Sequence, residues 1–183
     1  MEEGRAKELA AQQGWVVKDD AGRGWRRVVP SPMPKRIVDL EAIRTLSSAG
    51  YVVIGCGGGG IPVIEDDEGN LRGIEAVIDK DFASGLLAST IGADLFMVST
   101  AVERVAINFN KPNQKWLDKI TVREARQYYA EDHFDRGSMG PKIQALVDYL
   151  EMGGKEGLIT NPPNIGRALA GETGTRIVPA LPG

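Results

Sequence analysis

The stretch that most constrains the fold is "YVVIGCGGGGIP", residues 51–62. An apolar run passes straight into five glycines within six positions, interrupted by Cys56 and stopped by Pro62. A short, continuous apolar run suits a strand buried on both faces, the kind that parallel sheets use. Glycine loses more backbone freedom on folding than any other residue, so a run of glycines is kept where the chain turns tightly or another group comes close. Glycines at the carboxyl end of a buried strand mark the edge where α/β sheets bind ligands. We therefore read Tyr51–Ile54 as a buried parallel strand and Gly57, Gly58, Gly59 and Gly60 as a loop approaching a phosphate. The bland alternative is a tight turn with no ligand. The loop lacks the Lys-Ser/Thr ending of a P-loop, so positive charge must come from elsewhere in the chain.

The flanking sequence alternates strand and helix signals. Asp39 stands where it can cap a helix bearing Leu40, Ile43 and Leu46 on one face. The turn "DDEGN" joins two β-like runs into a hairpin. A helix with Phe82, Leu86, Leu87 and Ile91 as its apolar residues spans about 81–91, followed by strands "LFMVS" and "RVAINF" and a polar excursion, "KPNQKWLDKI". Thr121 and Glu124 have the spacing of a capping box. Pro141 opens a helix whose stripe is Ile143, Leu146, Val147 and Leu150. "GLIT" and "TRIVP" read as the last strands, with a short helix near 165–170 between them. Such alternation predicts an α/β fold with a mainly parallel sheet.

Several classes are disfavoured. A net charge of −3 and a pI near 5.3 speak against a nucleic-acid partner. No apolar stretch approaches the ~20 residues that span a bilayer. "MEEGRAKELAAQQG" reads as an acidic helix rather than a signal peptide. One cysteine allows no intrachain disulfide, which suits the cytoplasm. One histidine and one cysteine argue against a zinc site built by the protein.

Positive charge is available at two loops. In "AVIDKDFAS" Lys80 lies between Asp79 and Asp81, where a strand gives way to a helix. Helix starts collect anions and Lys80 adds a point charge there. Asp79 and Asp81 cannot hold a phosphate, but they can fix the lysine or meet a metal carried by phosphates. In "RGSMGPK" Gly137, Ser138 and Gly140 open a helix and Lys142 falls in its first turn, where the macrodipole disfavours a cation. A bound anion would neutralise both. For each cluster the plain alternative is a solvated surface charge. A third segment, "VSTAVERVAINFNKP", runs from a strand through a loop to Asn108, and this edge of an α/β sheet can hold a nucleotide base; core packing is the bland reading. Two lysines and two glycine-rich loops at one sheet edge are the equipment of phosphoryl transfer, where positioning and charge neutralisation dominate.

"GRGWRRVVPSPMP", "GCGGGGIPV", "GIEAVIDKDFAS", "TAVERVAINFNKPNQ", "RGSMGPK" and "GTRIVP" resemble, in order and spacing, the carbamate kinases of the amino-acid kinase superfamily. The resemblance covers nearly the whole chain. It implies a three-layer αβα sandwich with a mainly parallel sheet, a homodimer, and reversible phosphoryl transfer between ATP and carbamate. In arginine metabolism that reaction often runs from carbamoyl phosphate and ADP. Mg²⁺ accompanies the nucleotide. By position in these motifs, Lys80 and Lys142 resemble the lysines that neutralise the transferring group, and Asp81 the acid that orients them. Gly57–Gly60 resemble the carbamate-side loop. Asp79, Thr100, Ala101, Val102, Val105, Asn108, Ser138, Met139 and Gly140 resemble the nucleotide-side wall. Residues 1–78 then correspond to a remnant of the N-terminal lobe, with a protruding subdomain at about 14–34, and 79–183 to the nucleotide-binding lobe. The family also carries a "GGNA"-type glycine loop and a further substrate-side lysine. Neither stands in this sequence, so we expect a chain truncated at its N-terminus, with bared sheet edges and little turnover alone. A non-catalytic nucleotide-binding or interaction module on the same fold is the rival reading, and another amino-acid phosphotransferase is a second.

Overall fold

A computed structural model describes residues 1–20 and 22–179. The chain divides into two compact units, one of residues 1–33 and 61–78, the other of residues 34–60 and 79–183.

In the first unit, helix α1 (Glu3–Gln13) ends at Gly14, whose φ of 68° lies in the left-handed region that glycine adopts without penalty. The helix packs on a hairpin of β1 (Val16–Asp19) and β2 (Trp25–Val28), with Ala6 fully buried. The guanidinium of Arg27 stacks over Trp15 at 4.8 Å and pairs with Glu75 at 2.7 Å. Glu75 follows a second hairpin, β3 (Val63–Glu65) with β4 (Leu71–Gly73), formed at the turn the sequence signals.

The second unit is built on a four-stranded sheet of β5 (Leu95–Ser99), β9 (Glu156–Thr160), β10 (Thr175–Val178) and β8 (Lys119–Thr121), in that spatial order. The β5–β9 and β10–β8 pairs are parallel and β9–β10 is antiparallel, so the sheet is mainly parallel. Helices α3 (Lys80–Ile91), α4 (Val122–Ala130) and α5 (Met139–Glu151) are joined to it, and α6 (Ile165–Leu169) follows a 3₁₀ turn. Successive residues of β9 face opposite helices: Gly157 meets Leu146 of α5, and Leu158 lies on the side of Gly174 and Ala168 of α6. This is the α/β fold with a mainly parallel sheet that the alternation predicts, with helices on both sheet faces as the resemblance implies. The core gathers Phe96, Val98, Ile143, Leu146, Tyr149, Ile159 and Ile177. Phe96 and Tyr149 meet edge to face at 5.6 Å, and the Tyr149 hydroxyl donates to the Ala93 carbonyl.

Helix α2 (Leu40–Ser48) forms where Asp39 predicts it, but the Asp39 side chain makes no capping hydrogen bond. The apolar residues after it depart furthest from expectation. Tyr51–Ile54 is not a buried strand. No described strand pairs with it, and Val52 and Ile54 are 97% and 96% exposed. A strand is stable only with neighbours to satisfy its backbone and cover its faces, and the described residues supply none here. The polar excursion 111–120 is also more ordered than expected. It contains β7 (Lys115–Leu117), which pairs with β6 (Val105–Ile107), and then β8. Trp116 and Leu117 give β7 its strand character. In α3 the buried stripe is not the large residues but Ala83, Gly85 and Ala88.

Candidate functional site

Small residues on α3 let α5 come close. A Cβ on Gly85 would sit 3.1 Å from the Ala145 carbonyl oxygen, a tight contact with backbone, so any larger residue there would push α5 away. The two helices run the same way, because Asp81 meets Lys142 at one end and Gly85 meets Ala145 further along. Each helix leads through a short turn into a parallel strand, α3 into β5 and α5 into β9. Their N-termini therefore stand at the end of the unit where β5 and β9 finish, the edge at which such sheets bind ligands.

At that end Lys142 Nζ donates to Asp81 Oδ2 at 2.8 Å, and Lys80 Nζ lies 3.5 Å from the same oxygen. The Asp81 side chain is 9% exposed and that of Lys142 14%, whereas the Lys80 side chain is 56% exposed. One buried carboxylate thus holds one lysine head closely and a second more loosely. Asp79 caps α3: its Oδ1 accepts the Asp81 amide at 2.7 Å, which fixes the backbone that carries Asp81. The cation that Lys142 places against the α5 dipole is balanced first by Asp81, a partner the sequence separates from it by 61 residues.

The glycine loop belongs to the same end. Cys56 Sγ lies 3.8 Å from the Ala83 carbonyl oxygen, in the first turn of α3. The loop winds through Cys56, Gly57, Gly59 and Gly60, all at positive φ. The Gly57 amide donates to the Gly55 carbonyl and the Gly59 amide to that of Cys56. Nothing stands within 4 Å of where a Cβ would sit on Gly57, Gly58 or Gly60, so backbone conformation and not crowding selects glycine at Gly57 and Gly60. Burial pushes the Cys56 thiol up from its ordinary value, which makes it a poor thiolate.

The third segment lies past the end of β5. The Thr100 amide donates to the Thr160 carbonyl at 2.8 Å. Ala101 is exposed, Val102 is half-buried, and Val105 is buried in the core with its amide on Thr175 Oγ1. Asn108 has a φ of 52° and reaches the Asn113 carbonyl. Ser138 is exposed, Met139 half-buried and Gly140 buried, all within a turn of Lys142. The structure thus gathers Asp79, Lys80, Asp81, Lys142, the α5 start and the glycine loop. Among the described residues no three His, Cys, Asp or Glu side chains cluster as a metal site. One residue the sequence reading passed over is Asp135. Its Oδ1 accepts the Gly137 amide at 3.0 Å and the Ser138 hydroxyl at 2.8 Å. The signal was an aspartate two residues ahead of a Gly-Ser pair, the pattern of a side chain closing a turn on its own backbone.

Residues 2–161 match the model of the amino acid kinase family. The chain belongs to that family. Among amino acid kinases, a carbamate kinase of Thermococcus kodakarensis is 51% identical over 97% of this chain and 56% of its own length. A carbamate kinase-like protein of Escherichia coli, YahI, is 51% identical over 92% of this chain and 53% of its own. The structure of a Giardia lamblia carbamate kinase bound to AMP-PNP superposes with a TM-score of 0.88 at 41% identity, covering 97% of this chain and 56% of that one. The chain therefore spans little more than half the length of the relatives it matches.

Proposed function

We propose that this amino acid kinase chain carries the phosphoryl-transfer side of a carbamate kinase, catalysing reversible transfer between ATP and carbamate. The observation that carries the proposal is the pair Lys80 and Lys142 held by one buried carboxylate at the starts of two parallel helices. It is supported by relatives of about half identity that are named carbamate kinases, and by a structural neighbour of this chain, the Giardia lamblia carbamate kinase bound to AMP-PNP. In this reading Lys142, fixed by Asp81, and the exposed Lys80 neutralise charge on the phosphoryl group as it passes between carbamate and ADP. Preorganised positive charge of this kind is the main protein contribution to such reactions. Gly57–Gly60 leave room for the small carbamate end. Thr100–Asn108 and Met139 line the nucleotide side. Mg²⁺ carried by the nucleotide would supply further counter-charge to its phosphates, while Asp79 holds the Asp81 amide and Asp81 the lysines.

The test is ATP formation from carbamoyl phosphate and ADP, beside a calorimetric titration with ADP. We expect ADP to bind and turnover to be low for the chain alone. Turnover should rise when a polypeptide matching the rest of the relatives' length is supplied. Binding without transfer even then would favour the non-catalytic module, a reading that the exposed Val52 and Ile54 keep open. No ADP binding at all would remove the nucleotide reading. The homodimer and the cytoplasmic setting belong to the same proposal, and sedimentation and localisation of the tagged chain test them.

A further inference from the structure

The start of α5 is shaped by a side chain outside the lysine cluster. Ser138 occupies the position where a serine ordinarily caps a helix, yet it makes no side-chain bond to the helix. Its hydroxyl instead donates to Asp135 Oδ1 at 2.8 Å, and the same oxygen accepts the Gly137 amide at 3.0 Å. The Asp135 carbonyl accepts the Gly140 amide at 2.7 Å and the Ser138 amide at 3.3 Å. The closure is tight at Gly140, where a Cβ would stand 3.0 Å from the Asp135 carbonyl oxygen and 3.3 Å from the Tyr129 ring. Residues 135–138 are otherwise exposed, and besides the exposed pair of Arg136 with Asp132 these bonds are what hold them.

We propose that Asp135 is a positioning residue for nucleotide binding: through Oδ1 it fixes the 135–140 loop that presents Ser138–Gly140 ahead of Lys142. The proposal rests on the nucleotide-side reading of Ser138–Gly140. It goes further by naming what the site requires at position 135. Both side-chain bonds fall on one oxygen, and both are accepted. A neutral amide oxygen serves equally. The carboxylate's charge, by contrast, stands near a helix start that would receive phosphate, where it repels the ligand.

That separates geometry from charge. Calorimetric titration of the full chain with ADP, with Asp135→Ala and Asp135→Asn beside it, is the first measurement. Hydrogen exchange of the Gly137, Ser138 and Gly140 amides without ligand is the second. Asp135→Ala should weaken ADP binding about tenfold, the scale of one or two lost hydrogen bonds, and should speed exchange of those amides. Asp135→Asn should keep the amides protected and bind ADP as well as the parent or better. Unchanged ADP affinity in Asp135→Ala overturns the proposal. So does equal weakening in both variants, which would make the charge and not the oxygen the requirement. If the parent chain binds no ADP, the nucleotide role falls with the functional reading, and the exchange data alone decide whether Asp135 holds the loop.

Discussion

At the residue scale the site is one carboxylate shared between two lysines. Lys80 and Asp81 are adjacent, so their proximity is legible in the sequence. The meeting of Asp81 with Lys142 is not, because 61 residues separate them and only the α3–α5 packing joins them. Motif chemistry alone explained Lys142 by an anion, whereas the family resemblance implied Asp81 as the acid that orients both lysines, and the structure does set Asp81 against both. This makes the two roles of Lys142 separable. Lys142→Ala should slow the chemical step at least ~10-fold, in a form of the protein that turns over, by removing charge stabilisation in the transition state. It also leaves Asp81 partly buried with only the exposed Lys80 near it, and stripping one partner from a buried pair costs up to about 3 kcal/mol. Adding Asp81→Asn to Lys142→Ala should recover much of the melting temperature but none of the rate. A defect confined to the Michaelis constant would show that Lys142 serves binding only.

At the scale of elements, two devices set the geometry. One is the glycine contact between α3 and α5. Gly85→Val puts methyl groups where the Ala145 carbonyl stands. Backbone cannot yield as a side chain can, so a loss of about 1–3 kcal/mol follows. Because α5 must move away, ADP affinity should fall with it, although Gly85 touches no ligand in our reading. A variant that loses stability and keeps full ADP affinity would show that the lysine pair does not depend on this packing. The second device is the capping box of α4. The Glu124 carboxylate accepts the Thr121 amide and hydroxyl, each at 2.8 Å, and Thr121 Oγ1 accepts the Glu124 amide at 3.2 Å. The Thr121 amide first, and its hydroxyl second, hold the Glu124 carboxyl below the ordinary carboxylate range. A group whose folded value is depressed stabilises above its unfolded value and stops doing so as pH falls through the folded one. Thr121→Ala should therefore lower the melting temperature by about 2–4 °C near neutral pH, the equivalent of ~1 kcal/mol in a chain of this size. Part of that difference should fade as pH falls through the ordinary glutamate range and vanish only once the lowered Glu124 carboxyl of the folded state is itself protonated. This box was legible from Thr121 and Glu124 alone, since a cap is local chemistry. The small-residue stripe was not, because Ala and Gly carry little hydrophobic signal, and the larger Phe82, Leu86 and Leu87 drew attention away from it.

At the scale of the molecule, the alternation of strands and helices gave the α/β class, and local turn signals gave the hairpin at residues 63–73. Strand pairing is a long-range property, and there the sequence pattern misled at 111–120, which carries β7 and β8, and most of all at 51–54. Tyr51–Ile54 has the composition of a central strand, but composition specifies a strand only when neighbours exist to pair with it. In the described structure it is unpaired, with Tyr51, Val52 and Ile54 exposed and Val53 half-buried, the kind of surface that invites association. The relatives run to nearly twice the matched length, and we propose that a polypeptide equivalent to their remainder supplies the missing strands. The two situations predict opposite effects of one change. Val52→Lys with Ile54→Lys should leave the melting of the isolated chain within about 0.5 kcal/mol, as surface substitutions do, and should reduce its self-association in sedimentation. In a mixture with the complementary polypeptide, the same change should prevent assembly and the rise in ATP formation, since a buried strand cannot accommodate two unpaired charges. Severe destabilisation of the isolated chain would mean that Val52 and Ile54 are already packed. Unimpaired assembly would mean that strand addition at this segment is not how the site is completed.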